Sequence, residues 1–360
     1  MIISRTPYRI SFFGGGTDYP GWYKVHGGQV LSTTIDKYCY ITLRYLPPFF
    51  EHKIRVVYSK IESVSNIDDI RHPAVREVLR HLNFDRGLEI HHDGDLPARS
   101  GMGSSSTFTV GLLNALYALK GVMRSKRQLV EESIYIEQEM IKETVGSQDQ
   151  TAAACGGLNH IVFHPSGDIE VRPVTLTRDR RQELSDHLML FYTGIMRTAS
   201  DVAKSYVEDI CQKEALLHRM SAMVDEGVDI LQSTRCICRF GELLDAAWQA
   251  KRRLSCKVSN DVVDNLMARA KDNGAIGGKI AGAGGGGFML LFVPPSAQKR
   301  VRNALGELLH VPFHIAADGS QIIFYDPAVD DFRHIEDERS RREIQCLREL
   351  GTLKSGGGLS

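Results

Sequence analysis

The stretch LPARSGMGSSST, Leu96–Thr107, decides how this chain is read. Gly101, Gly103 and the run Ser104-Ser105-Ser106-Thr107 stand between a short strand-like segment and an apolar segment with helical spacing. Glycine lets backbone come close to a ligand, and the free amides at a helix start attract anions. Serine hydroxyls add donors and can ligate magnesium. A serine-rich cap on a purely structural helix fits the same letters, so GMGSSS alone leaves both readings open. It is not the P-loop pattern, because no lysine follows Gly103.

Working outward, LEIHH (Leu88–His92) reads as the strand before the cradle. Behind the cradle, Leu112, Leu113, Leu116 and Leu119 predict a helix over Ser104–Lys120 that stops at Gly121. Ser125 caps a second predicted helix running to about Thr144, with Glu132 and Glu139 expected in solvent. Cys39–Leu46 and Lys53–Ser59 read as strands separated by Pro47-Pro48. LNHIVFH and IEVRPV read as strands around a Ser166-Gly167-Asp168 turn, and HLMLFYTG as a buried strand. Helical patterns follow over about 200–231, 240–254 and 260–273, then FMLLFV, a helix near 297–309, and strands HVPFHI and QIIFY. The charged segment Asp330–Arg348 predicts a solvated helix, and 346–360 a flexible tail.

A chain of 360 residues favours two domains, placed at 1–168 and 169–345. Lysine plus arginine equals aspartate plus glutamate at 44 each, so no global field exists to hold nucleic acid or an anionic membrane. Neither is expected as a partner. The start MIISRTPYRISFF lacks the features of a signal peptide, and no apolar run approaches the ~20 residues that span a bilayer. Seven scattered cysteines suit a reducing cytoplasm better than a disulfide framework. His91-His92-Asp93 alternates across a strand and lacks a further ligand set, and Cys236-x-Cys238 reads as a pair of buried or partly buried thiols.

Two more glycine clusters accompany the cradle: TPYRISFFGGGTDYP (Thr6–Pro20) and KIAGAGGGGFMLLF (Lys279–Phe292). Three such clusters suggest backbone converging on one ligand. In this order and spacing they resemble the three signature motifs of the GHMP kinases, over roughly residues 1–330. The resemblance implies a two-domain α/β fold with its active site in the cleft between domains. It also implies a ribosomal protein S5 domain 2-like N-terminal domain with a left-handed crossover, and a ferredoxin-like C-terminal domain. ATP and magnesium are the implied cofactors, with a monomer or homodimer.

Carried over residue by residue, the cradle Gly101, Met102, Gly103, Ser104, Ser105, Ser106 and Thr107 binds the nucleotide, and Ser105 with Glu137 holds magnesium. Asp149, followed by Gln150 and preceded by Gly146, is the catalytic aspartate, and Arg9 the catalytic arginine. Gly14, Gly15, Gly16, Thr17, Asp18, Gly284 and Gly285 bind the acceptor. The central departure is Gly15-Gly16, where galactokinases carry a glutamate-histidine pair that contacts the sugar. That stretch, and YTGIMRTASDVAK (Tyr192–Lys204), is similar to the D-glycero-D-manno-heptose 7-phosphate 1-kinases, which phosphorylate an anomeric hydroxyl. A phosphorylated acceptor calls for a further cation, with Arg197 the first candidate and Lys204 and Lys37 behind it. A fucose- or galactose-type 1-kinase and a non-catalytic sugar-binding regulator are the alternatives.

Overall fold

The structure, a computed structural model, describes residues 1–195, 202–205, 213–326 and 331–342. The first layer comprises β1 (Ile2–Phe13), α1 (Pro20–His26), β2 (Gly28–Tyr45), β3 (Ile54–Val57), β4 (Ile61–Val64), α2 (Pro73–His81) and β5 (Leu88–Gly94). It continues through α3 (Ser104–Leu119), α4 (Lys126–Tyr135), α5 (Gln148–Cys155), β6 (Leu158–Phe163) and β7 (Ile169–Pro173). Then come α6 (Arg178–His187), β8 (Leu188–Tyr192), α7 (Glu214–Gln232), α8 (Cys238–Arg252) and α9 (Asp261–Asp272). The remainder is β9 (Gly277–Ile280), β10 (Phe288–Phe292), α10 (Gln298–Ala304), β11 (Leu309–His310), β12 (Ile315–Ala316), β13 (Gln321–Tyr325) and α11 (Arg333–Arg342).

Two sheets organise the fold. One has nine strands along the path β13-β1-β2-β5-β3-β4, with β12 and β6 also on β2 and β7 on β6; the other is β11-β8-β10-β9. The 168/169 division falls in the turn of the β6–β7 hairpin, so it cuts one sheet. The chain also returns: β12 pairs with β2 and β13 with β1, so residues 315–325 complete the same sheet as the first strands. No helix among the described residues is long and apolar enough to cross a membrane.

The strand β1 is where fold becomes site. From Thr6 onward every residue is buried, as expected of a strand covered on both faces. Its pairing with β2 shifts register between Pro7 and Arg9 and again between Ser11 and Phe13. A proline cannot donate to a ladder, so Pro7 sits where the ladder breaks, and such breaks re-aim side chains. Arg9 and Ser11 are the side chains re-aimed. Beneath the sheet, α3 is apolar almost all round, and Gly111 lets it approach so closely that Ser4 Oγ donates to the Gly111 carbonyl at 2.9 Å.

The helix predicted to reach Thr144 stops earlier. α4 ends at Tyr135, Ile136–Met140 forms a π turn, and Lys142 takes φ 61°, turning the chain back toward β1. Glu132 is not free in solvent; it accepts from Tyr117 and pairs with His81 and Arg124.

One packing detail gives a pH signature. His72 Nδ1 accepts from Val75 N at 3.4 Å to start α2, and its ring lies between Tyr58 and Phe108. Burial, reinforced by His92, lowers the His72 pKa to about 4. The folded value is depressed below the unfolded one, so this stabilisation is complete above about pH 6.5 and lost as pH falls toward 4. At about 1.4 kcal/mol per pH unit, it amounts to at most a few kcal/mol. Wild type should therefore lose its stability advantage over His72→Asn, which keeps a capping side chain, between pH 7 and pH 5. Parallel melting curves for the two proteins at both pH values would rule this out.

Candidate active site

The bend in β1 turns Arg9 into the centre of the molecule, where its side chain is 3% exposed. All three guanidinium nitrogens find partners. Nε and Nη2 donate to the two Asp149 carboxylate oxygens at 2.7 Å each, and Nη1 donates to the Gly101 carbonyl at 2.8 Å. The Arg9 amide also donates to the Met102 carbonyl at 3.2 Å. The first glycine motif, the cradle and the start of α5 are thus joined at one arginine, in the two-pronged geometry that makes arginine–carboxylate pairs directional. Asp149 lies in the first turn of α5, where the helix dipole favours a carboxylate. Its side chain remains 26% exposed, so the pair opens to solvent on the Asp149 side.

The cradle divides by direction. Gly101 and Gly103 take φ +83° and +78°, and Gly103 caps α3 without a side-chain bond, as a glycine must. A Cβ on Gly103 would stand 3.3 Å from Asp149 Oδ2, so the cradle presses directly on the pair. Ser105 is exposed and Ser104 half-buried, whereas Met102, Ser106 and Thr107 turn inward. Met102 belongs to the core and the Thr107 hydroxyl donates to the Pro7 carbonyl, so these two shape the cradle rather than line it.

The cradle hydroxyl that meets Glu137 is that of Ser106; Ser105, expected as a magnesium ligand, is exposed. The Ser106 hydroxyl donates to Glu137 Oε2 at 2.7 Å, Thr109 donates to Oε1 at 2.7 Å, and Gln150 Nε2 donates to Oε2 at 2.5 Å. Glu137 is fully buried in the π turn, a device that often marks functional positions in helices. Burial pushes its carboxyl up to about 7, against the pull of the Ser106 and Thr109 hydroxyls. No described cation pairs with it. A buried carboxylate ringed by hydroxyl oxygens fits a hard divalent cation, so the donor set suits magnesium.

Asp18 is 1% exposed and accepts from Gly16 N at 2.9 Å and Gln148 N at 3.4 Å. Burial raises its carboxyl pKa, the Gly16 amide opposes that, and the Asp149 charge adds to it. Thr17, expected to touch acceptor, instead closes its own turn: its hydroxyl donates to the carbonyls of Gly14 and Gln29. Gly14 likewise packs against the Gln29 carbonyl. Gly284 and Gly285 sit on Val258, and the cradle is met by Ala281, Gly282 and Gly287. Arg197 lies outside the described residues. Lys204 is exposed, and Lys37 pairs with Asp36 at 3.3 Å.

Two lysines escaped the sequence reading. Lys279 donates to the carbonyls of Ser11 and Phe12 at 2.7 and 3.0 Å, tying β9 to β1 across the two sheets. Lys251, on α8, is buried and donates to the Gly282 carbonyl. A signal for it exists: Leu244, Ala247, Trp248 and Lys251 recur at helical spacing on the buried face.

Residues 70–157 match the GHMP kinases N terminal domain and residues 232–311 the GHMP kinases C terminal domain. The chain is 29% identical to the D-glycero-alpha-D-manno-heptose 7-phosphate kinase of Campylobacter jejuni, over 84% of this chain and 93% of that protein. It is 24% identical to the L-fucokinase/L-fucose-1-P guanylyltransferase of Bacteroides fragilis over 85% of this chain, but spans 36% of that longer protein. Among solved structures, a D-glycero-D-manno-heptose 1-phosphate kinase from Bacteroides thetaiotaomicron superposes with a TM-score of 0.74 at 22% identity, covering 91% of this chain and 100% of that one. That likeness bears on the fold.

Proposed function

We propose that this chain, which belongs to the GHMP kinases, transfers the terminal phosphoryl group of ATP to the anomeric hydroxyl of D-glycero-D-manno-heptose 7-phosphate, giving the 1,7-bisphosphate for nucleotide-activated heptose and surface polysaccharide. The observation that carries the chemistry is the Arg9–Asp149 pair pressed against the glycine cradle. Similarity over most of both chains supports the heptose assignment, as does the Gly15-Gly16 dipeptide.

Phosphoryl transfer asks a protein chiefly for positioning and charge compensation. The amides at the start of α3 and the outward Ser104 and Ser105 receive phosphate oxygens. Glu137 and a cradle hydroxyl would hold magnesium; Ser106 already touches Glu137, and Ser105 faces outward. When bound, the ion offsets phosphate charge. Arg9 fixes the Asp149 carboxylate, whose remaining lone pairs accept the hydrogen bond of the attacking hydroxyl and then its proton. The Arg9 cation meanwhile stabilises charge growing beside it. Asp18 holds neighbouring hydroxyls.

Coupled ADP release over a panel of sugars and sugar phosphates, with product analysis at the anomeric carbon, tests the assignment. Heptose 7-phosphate should give the highest kcat/KM and a 1,7-bisphosphate. Faster turnover of fucose or galactose would overturn the heptose reading and leave the kinase reading standing.

A further inference from the structure

The three consecutive glycines of the first motif are glycine for different reasons. Gly14 and Gly16 take φ +82° and +120°, conformations that L side chains avoid. Gly15 is under no such constraint. A Cβ built on it would meet nothing closer than 3.5 Å, so neither backbone nor packing demands glycine there. The three atoms nearest to where that Cβ would stand are all polar: Gln148 Nε2 at 3.5 Å, Ser11 Oγ at 3.6 Å and Lys251 Nζ at 3.9 Å.

Two of these side chains hold a buried atom without a partner. Ser11 is 6% exposed, and its hydroxyl has no hydrogen-bond partner; the buried Gln148 Oε1 has none either. Lys251, also 6% exposed, donates to the Gly282 carbonyl and has no carboxylate within ion-pair distance among the described residues. An ammonium offers three hydrogens, and leaving buried donors and acceptors empty is unfavourable by roughly 1–3 kcal/mol each. Asp18, Arg9, Asp149 and Lys279 are charged groups coupled to Lys251, which places this cluster beside the Arg9–Asp149 pair.

We propose that Ser11, Gln148 and Lys251 form a subsite for one oxygen of the acceptor, a hydroxyl neighbouring the phosphorylated one, and that Gly15 is glycine to leave that oxygen room. The space left by the absent Cβ is bordered by all three groups, 3.5–3.9 Å from where that atom would stand. A hydroxyl oxygen suits these groups: it accepts from the Gln148 NH2 and the Lys251 ammonium and donates to the otherwise unpartnered Ser11 hydroxyl. Ser11 and Gln148 come from the first domain and Lys251 from α8 of the second, so an acceptor held here links the two. This rests on the sugar-kinase reading and names how the acceptor is recognised.

The test uses Gly15→Ala and Lys251→Met in the full chain, assayed with whichever panel sugar wild type turns over best. The methyl of Gly15→Ala fits without strain, so its Tm should match wild type, while KM for the acceptor rises about tenfold or more. Lys251→Met should raise the same KM at least as far. KM for ATP should stay within about twofold in both. An unchanged acceptor KM in Gly15→Ala, meaning that a water fills the space, overturns the subsite, as does a parallel rise for ATP. The choice of best sugar judges the heptose reading separately, and a wild-type protein that phosphorylates no sugar overturns both.

Discussion

Asp149→Asn should reduce kcat about a thousandfold while ATP still binds. The asparagine keeps the volume but exchanges one acceptor oxygen for an NH2 group, which then faces an Arg9 donor across 2.7 Å. One prong of the pair is lost whichever way the amide turns. Arg9 is 3% exposed and keeps its bond to the Gly101 carbonyl, so it has somewhere to remain but loses its counter-charge. Breaking a fully buried ion pair costs about 3–5 kcal/mol, and the 26% exposure of Asp149 reduces that figure here. Tm should therefore fall by several degrees without loss of the fold. Three measurements separate the contributions: ADP release for kcat, calorimetric titration for ATP affinity, and a melting curve. An Asp149→Asn protein within tenfold of wild-type turnover would remove Asp149 from the reaction. A protein that no longer binds ATP would show instead that the pair builds the cradle.

How much of this arrangement could be read from the letters depends on distance along the chain. The three glycine clusters and the helix behind the cradle are local patterns, and each is found where it was read, at 101–103, 14–16 and 282–287. Directions within a pattern are harder. Four consecutive hydroxyl residues look alike, but each step around a helix turns by about 100°, which puts Ser106 and Thr109 on the Glu137 side and leaves Ser105 outside. Thr17 shows the same limit, since a small hydroxyl beside glycines serves a ligand or a turn equally well. The return of β12 and β13 to the first sheet pairs Ile315 with Ile35 and Tyr325 with Ile2, and no local signal encodes a register across such separations. Lys251 was legible, from the buried stripe of α8, once a lysine is allowed on an apolar face.

Gly146→Ala should damage acceptor use nearly as severely, through one methyl group in a crowded place. Gly146 is not among the residues with positive φ, so its backbone would accept alanine. Its neighbours would not: the new Cβ would fall 1.9 Å from Asp18 Oδ2, 2.6 Å from Asp18 Cγ and 3.2 Å from the Asp18 carbonyl oxygen. Something must move. Asp18 is buried and held by the amides of Gly16 and Gln148, so turning its carboxylate away strands a charge without donors. Moving the loop instead breaks the bond from Ser147 N to the Asp18 carbonyl, 2.9 Å, and drags Asp149 off Arg9. Either route spoils the acceptor side, while the cradle serines on α3 keep their places. Overpacking of this kind costs about 1–3 kcal/mol, so Tm should drop by a few degrees. The kcat/KM for the acceptor should fall about a hundredfold or more, because even a 1 Å displacement of reacting groups costs that much. KM for ATP should change little. Gly21→Ala, on α1 with open space around the new methyl, serves as the control and should be silent in all three measurements. If Gly146→Ala kept its acceptor kcat/KM within fivefold, the close seating of Asp18 against this loop would not be what holds the acceptor.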